Sequence, residues 1–286
     1  MHAISLEDLE RFRASHPART ICFGGDRWEF LDCGAGEETV LFLHGLAGAA
    51  DIWWRVISVL EDRYRSIAVT YPPVDTLAGL AAGIIAVLDE AGVEIVNLVG
   101  TSLGGYLAQY LVAAHPERIR RVVFSNTYAQ PEPLARKYRL AGALLPGAPE
   151  PLVMAVLRAG FRFLIYPASG RSKLTLAYLR QQACRKMGKA EVLHRYHTVI
   201  EPFEPADPCS SKIPILIVES DNDPLIEPGW RESLKARYPA ARVATLHGGG
   251  HFPYLSMPEV YTQVLEEFLS EGPRPALPAR TSKRPR

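Results

Sequence analysis

Apolar residues along this chain follow two rhythms. Short, nearly continuous apolar runs alternate with longer stretches in which apolar positions recur every three or four residues. Thr39–His44 (Thr-Val-Leu-Phe-Leu-His) and Ile95–Gly100 (Ile-Val-Asn-Leu-Val-Gly) are apolar almost throughout, which predicts strands buried on both faces. Further strands are predicted at Thr20–Phe23 and Trp28–Cys33, around the turn Gly24-Gly25-Asp26, and at Ser66–Thr70, Arg121–Ser125, Ile213–Glu219 and Ala241–His247. Helical periodicity is read at residues 4–14, Asp51–Glu61, Thr76–Ala91 before Gly92, Ser102–His115 before Pro116, Gly229–Tyr238 and Pro258–Ser270. Strand alternating with helix predicts an α/β class: a mostly parallel eight-stranded sheet flanked by helices.

Residues 130–207 break the alternation. They hold four helical patterns (Leu134–Leu145, Pro151–Leu164, Leu174–Lys186 and Ala190–Ile200) separated by Pro and Gly, with no strand. The strand–helix rhythm resumes directly afterwards, so the stretch reads as a helical cap inserted after the sixth strand. The domain organisation is then a core in two parts, 1–129 and 208–271, around a cap at 130–207. A basic, Pro-rich tail at 272–286 has no apolar period and reads as disordered.

Composition narrows the function. Lys and Arg total 32 against 31 Asp and Glu, a net charge of +1, so neither nucleic acid nor an anionic membrane is expected as the main partner. Residues 1–17 lack an apolar signal core, and no run of about 18 apolar residues is read that would span a bilayer. Cys22, Cys33, Cys184 and Cys209 form no C-x-x-C and have no zinc spacing; a cytoplasmic protein with reduced thiols is expected. Cys22 and Cys33 fall on two strands expected to be neighbours, which leaves a disulfide as a minor alternative.

Candidate chemistry starts at Gly100-Thr101-Ser102-Leu103-Gly104, a G-x-S-x-G pattern. The pattern alone is weak. Here it ends a buried strand and opens a helix, the context a nucleophile elbow requires. A serine hydroxyl needs a base at neutral pH. His251 follows three glycines in the last loop before the last helix and is the expected base. The imidazole needs an acid to fix its tautomer, and Asp221 and Asp223 both lie in the loop after the seventh strand. Asp223 is favoured because it lies further out and precedes Pro224; Asp221 stays open as the alternative. The oxyanion hole is expected from the N–H groups of Leu103, beside the nucleophile, and Leu46, in His44-Gly45-Leu46-Ala47-Gly48. His44 is expected to anchor that loop. His194 and His197 have the i, i+3 spacing of a metal pair, but no carboxylate partner is evident. Neither metal nor organic cofactor is implied.

These motifs resemble the α/β-hydrolase superfamily over Trp28–Leu269, specifically its carboxylesterase-like serine hydrolases. The resemblance implies the α/β-hydrolase fold and acyl transfer through Ser102, His251 and Asp223. Serine at the elbow separates the chain from similar folds with Asp there, the haloalkane dehalogenases and epoxide hydrolases. Tyr71-Pro72, Gly104–Gln109, Ser125-Asn126-Thr127 and Tyr238–Leu255 are also similar to maspardin, a hydrolase-fold binding protein with Asn in place of His251. The expected activity is cleavage of short- to medium-chain carboxylic esters, small-molecule substrates held under an apolar cap. The alternatives are a maspardin-like binding module, or carbon–carbon bond, amide or perhydrolase chemistry on the same residues.

Overall fold

The eight strands form one sheet in the order β1-β2-β4-β3-β5-β6-β7-β8. They are β1 (Arg19–Phe23), β2 (Asp26–Cys33), β3 (Thr39–Leu43), β4 (Arg65–Thr70), β5 (Val96–Thr101), β6 (Ile119–Ser125), β7 (Ile215–Ser220) and β8 (Arg242–Leu246). Strand β2 is antiparallel to both β1 and β4, and every later pairing is parallel. The computed structural model describes residues 5–185, 187–204 and 212–271. Cys209, the end of the expected cap and the expected tail at 272–286 therefore lie outside the described residues.

Alternation along the strands sorts the core into two layers. Val40, Phe42 and Ala68 face one side, with Leu9 and Phe12 of helix α1 (Leu6–Ser15), Val56 and Leu60 of α2 (Trp54–Leu60), and Tyr261 and Leu265 of α12 (Pro258–Leu269). Leu41, Leu43 and Ile67 face the other, with Leu80 and Ile84 of α3 (Leu77–Glu90), Leu107 and Leu111 of α4 (Leu103–Ala114), and Leu234 of α10 (Pro228–Arg237). A sheet covered on both faces explains why its central strands read as unbroken apolar runs. The remaining helices are α5 (Glu132–Leu144), α6 (Glu150–Gly160), α7 (Tyr166–Ala168), α8 (Lys173–Arg185) and α9 (Lys189–Ile200), all between β6 and β7, and the short α11 (Pro253–Ser256).

Differences from the sequence reading have local causes. Helix α1 starts at Leu6 because Ser5 and Asp8 form a reciprocal capping box. Asp26 pairs with Phe23, so it opens β2; Gly24 and Gly25, with φ of 64° and 89°, make the hairpin turn alone. The helix read at Pro151–Leu164 runs instead over Glu150–Ala168, with a wide π-type turn at Phe161–Ile165. Pro167 has no N–H to return to the preceding turn, and the widened segment accommodates that loss. This helix is 19 residues long and apolar enough to cross a bilayer by length and composition, yet only 17% of the window is buried. Arg158 and Arg162 interrupt its apolar run, so the sequence shows a helix there but no span of bilayer length.

Cys22 and Cys33 are both free thiols, so the disulfide alternative is set aside. Cys22 stands opposite Arg27 and not Cys33 in the hairpin.

Close backbone approaches fix where glycine is required. A Cβ on Gly104 would stand 2.2 Å from the Leu43 carbonyl oxygen, and one on Gly100 would stand 2.2 Å from the Gly104 carbonyl oxygen. Gly160 in α6 has nothing within 4 Å. Gly104→Ala should therefore destabilise the protein by about 2–4 kcal/mol, while Gly160→Ala should gain up to about 1 kcal/mol from helix propensity. Urea unfolding midpoints of the two variants check the contrast.

Candidate active site

The site forms at the carboxyl ends of the parallel strands. Strand β5 delivers Ser102, which has φ 54° and ψ −120° before α4 begins at Leu103. A non-glycine residue there costs about 1–3 kcal/mol, so its surroundings must hold it. Ser102 N–H donates to Ser125 O at 3.0 Å. Its carbonyl accepts from Tyr106 N–H at 3.0 Å and Thr127 Oγ1 at 2.7 Å. The Leu103 N–H lies in the first turn of α4, where no intrahelical carbonyl is available to it.

His251 is buried, and its Nδ1 lies 2.8 Å and 3.0 Å from the two carboxylate oxygens of Asp223. With Nδ1 turned to the carboxylate, Nε2 is the ring nitrogen that faces away from it. Asp223 is itself wrapped by donors: Asn126 Nδ2 at 2.8 Å, and the N–H groups of Leu225 and Ile226 at 2.8 Å and 3.1 Å. Burial alone would push this carboxyl up; the facing imidazole and the Asn126 and Leu225 donors outweigh it and hold Asp223 below the usual carboxylate range. Asp221 points elsewhere. It meets His247 Nδ1 at 2.8 Å and Gly248 N–H at 2.9 Å on the exposed side of the loop, and those contacts keep it below the usual range.

Ser102 and His251 line one cavity of about 480 Å3, together with Gly45, Leu46 and Ala47. The hydroxyl and the imidazole share this space without a direct hydrogen bond to each other. Most of the remaining wall is apolar and comes from α5, α6 and α9, including Leu134, Tyr138, Val153, Leu157, Val192 and Val199.

The loop that carries Leu46 is braced from two sides. His44 is fully buried; its Nδ1–H donates to Gly45 O at 2.7 Å, its ring stacks on Tyr71, and Tyr71 OH donates to His44 O at 3.1 Å. Burial, with help from nearby Arg195, holds His44 well below the ordinary imidazole value and so neutral at pH 7. Arg195 of α9 donates from Nη1 to Leu46 O at 2.5 Å and Gly48 O at 3.0 Å. Burial pulls its guanidinium down to about 10, which leaves it charged at neutral pH.

Sequence reasoning missed three of these residues. Asn126 has a trace in the sequence: it follows β6 and takes φ 42°, a conformation Asn tolerates. Arg195 has none, because the carbonyls it braces in the Leu46 loop lie nearly 150 residues away. Asp75 supplies the carboxylate that was not evident beside His194 and His197; its Oδ1 lies 2.6 Å and 3.0 Å from their Nδ1 atoms. A different set, His16, Cys33 and Glu61, brings its donor atoms within 4.8 Å of one another. There burial, Glu61 and Asp32 push the Cys33 thiol up to about 12, so with no ion present it stays protonated at neutral pH. Cys33 pairs with Ser66 near the start of β4, at the opposite end of the sheet from Ser102.

A parallel sheet with a strained strand–helix serine turn over an apolar cavity defines the α/β-hydrolase class. The chain belongs to the alpha/beta hydrolase family, whose model matches residues 40–264. RutD of Caulobacter segnis is 26% identical over 265 residues, covering 87% of this chain and 96% of that protein. Polyketide synthase ThaQ of Burkholderia thailandensis is 28% identical over 267 residues, and the match spans 88% of this chain but only 13% of that protein. Maspardin of Macaca fascicularis is 25% identical over 87% of this chain and 82% of its own length. A hydrolase of Pseudomonas aeruginosa has the same fold, with a TM-score of 0.79 and 21% identity over 89% of this chain and 99% of its own.

The depressed Asp223 carboxyl makes a signed prediction. A lowered folded-state value contributes stability that is present above about pH 4, the unfolded carboxylate value, and lost as pH falls through the folded value. Asn126→Ala removes a donor to the charged form and should cost about 1–3 kcal/mol at pH 7. That difference from wild type should shrink as pH falls toward the lowered folded value of Asp223, where the wild-type carboxylate also protonates. Denaturant unfolding at pH 3 and pH 7 measures it.

Proposed function

We propose that this chain is a serine hydrolase that cleaves carboxylic esters with short- to medium-chain acyl groups through an acyl-enzyme. The observation that carries the proposal is the strained Ser102 sharing an apolar cavity with a His251 whose other ring nitrogen meets a buried carboxylate.

Ser102 Oγ attacks the acyl carbonyl carbon while His251 Nε2 takes the hydroxyl proton, as substrate binding draws the two groups into contact. Asp223 fixes the Nδ1–H tautomer and stabilises the imidazolium, and Asn126 keeps Asp223 in place. The N–H groups of Leu46 and Leu103 receive the oxyanion, each worth about 3 kcal/mol to the transition state. The tetrahedral intermediate collapses, and the departing alcohol takes its proton from Nε2. Water, deprotonated by the same imidazole, then releases the acid and restores Ser102. Residues 130–207 act as a cap over the core parts 1–129 and 208–271; its apolar walls hold the acyl chain, and Arg195 ties it to the Leu46 loop. The free thiols Cys22, Cys33 and Cys184 support a cytoplasmic setting.

RutD is named for carbamate hydrolysis, and a carbamate, which presents the same acyl carbon to Ser102, is the competing substrate. The likeness to maspardin favours a second reading, a binding module without turnover. Assays of p-nitrophenyl acetate, butyrate and octanoate, with a p-nitrophenyl carbamate alongside, separate these readings. Wild type should turn over at least one ester faster than the carbamate, and Ser102→Ala should lose about 10³-fold or more. A slow rate that Ser102→Ala leaves unchanged would point to the binding module. Asp223→Asn should cost far more activity than Asp221→Asn; equal small losses would refute the assignment of the acid.

A further inference from the structure

Helices α5 and α6 carry apolar side chains that the fold leaves outside. Leu140 and Leu144 of α5 are 73% and 63% exposed, and Leu152 and Val156 of α6 are 56% and 65% exposed. Phe163 and Leu164 in the π-type turn extend the surface at 69% and 52%. The spacing of Leu152, Val156, Ala159 and Phe163 puts one stripe along the outer side of a single helical run. Val153, Met154, Phe161 and Ile165, on the inner side, are buried against the protein. Such a helix is held flat on the body, its apolar outer side in water. Six large apolar side chains left exposed on these neighbouring segments are unusual for a protein that meets only water.

We propose that this face docks on an anionic lipid–water interface and that apolar esters enter the cavity from it. Two observations favour lipid over a protein or a second copy of the chain. Leu144, Leu152 and Val156 belong both to the exposed surface and to the wall of the Ser102 cavity, so the patch is the rim of the entrance. A folded partner seated there would close that entrance, whereas a fluid lipid phase leaves it open and supplies substrate. Charge agrees: residues 132–168 hold Arg136, Lys137, Arg139, Arg158 and Arg162 against Glu132 and Glu150. That excess is larger than the +1 of the whole chain, although Lys137 is shared with Glu227. A basic amphipathic helix lying in plane, its apolar side in the acyl boundary, is the geometry by which proteins rest on anionic bilayers.

The docking proposal rests on the esterase reading for its substrate, but its test does not. The full chain carrying Ser102→Ala is sedimented with phosphatidylcholine vesicles and with phosphatidylcholine–phosphatidylglycerol vesicles. Binding should be strong only to the mixed vesicles, and adding Leu140→Asp with Phe163→Asp should weaken it by about tenfold or more. Neither side chain lines the cavity, so the same pair in the wild-type background should leave hydrolysis of dissolved p-nitrophenyl acetate unchanged. Absence of vesicle binding, or binding that the pair does not weaken, overturns the proposal; equal binding to neutral vesicles overturns its anionic part. A dimer in sedimentation velocity that the pair dissociates would also overturn it and assign the face to a second copy. Vesicle binding without ester turnover would retain the docking face and reject the esterase.

Discussion

The backbone at Ser102 is the constraint on which the site depends. Its positive φ turns the chain sharply from β5 into α4 and lifts the hydroxyl to the carboxyl edge of the sheet. The conformation is unfavourable by itself and persists because the neighbouring strand grips it. Ser125 takes the serine N–H and Thr127 takes hold of its carbonyl, both from the end of β6 or just beyond. Gly100 and Gly104 let the turn close without collision. Strain at one residue is thus distributed over parallel strand pairing, a side-chain hydrogen bond and two missing Cβ atoms.

Buried polar groups around this turn are paired in ways that fix orientation. Asp223 receives the imidazole, an asparagine amide and two main-chain N–H groups, so a carboxylate that burial would neutralise stays charged. Asn126 Nδ2 also donates to Gly250 O at 3.1 Å, which links the loop after β6 to the loop that carries His251. The same amide therefore sets the position of both members of the pair. On the other side of the cavity a charged guanidinium donates to two main-chain carbonyl oxygens and to Met187 Sδ, and the loop the carbonyls belong to carries the Leu46 N–H.

How much of this was legible in the sequence depended on how local each cause is. The unbroken runs at Thr39–Leu43 and Val96–Thr101 announced buried strands because a covered sheet requires apolar residues on both faces. Ser102 stood out because glycines must flank the turn that carries it, and those glycines are its sequence neighbours. Asp221 and Asp223 could not be separated by composition; only the loop's path shows that one carboxylate turns outward to His247 and the other inward to His251. Arg195 and Asp75 were illegible because each acts on a partner more than a hundred positions away. The helix at Glu150–Ala168 was legible over Pro151–Leu164, but its bilayer-spanning length was not, because two arginines interrupt the apolar run without breaking the helix.

The reach of Arg195 into the Leu46 loop binds two parts of the molecule that would otherwise diverge separately. The helices between β6 and β7 supply most of the cavity wall, yet one of them also braces the main chain that lines the cavity beside Ser102. A chimaera that imported foreign helices without an equivalent guanidinium would change the cavity wall and unseat Leu46 in one stroke. Recombination within this scaffold must therefore move loop and helix as a matched set.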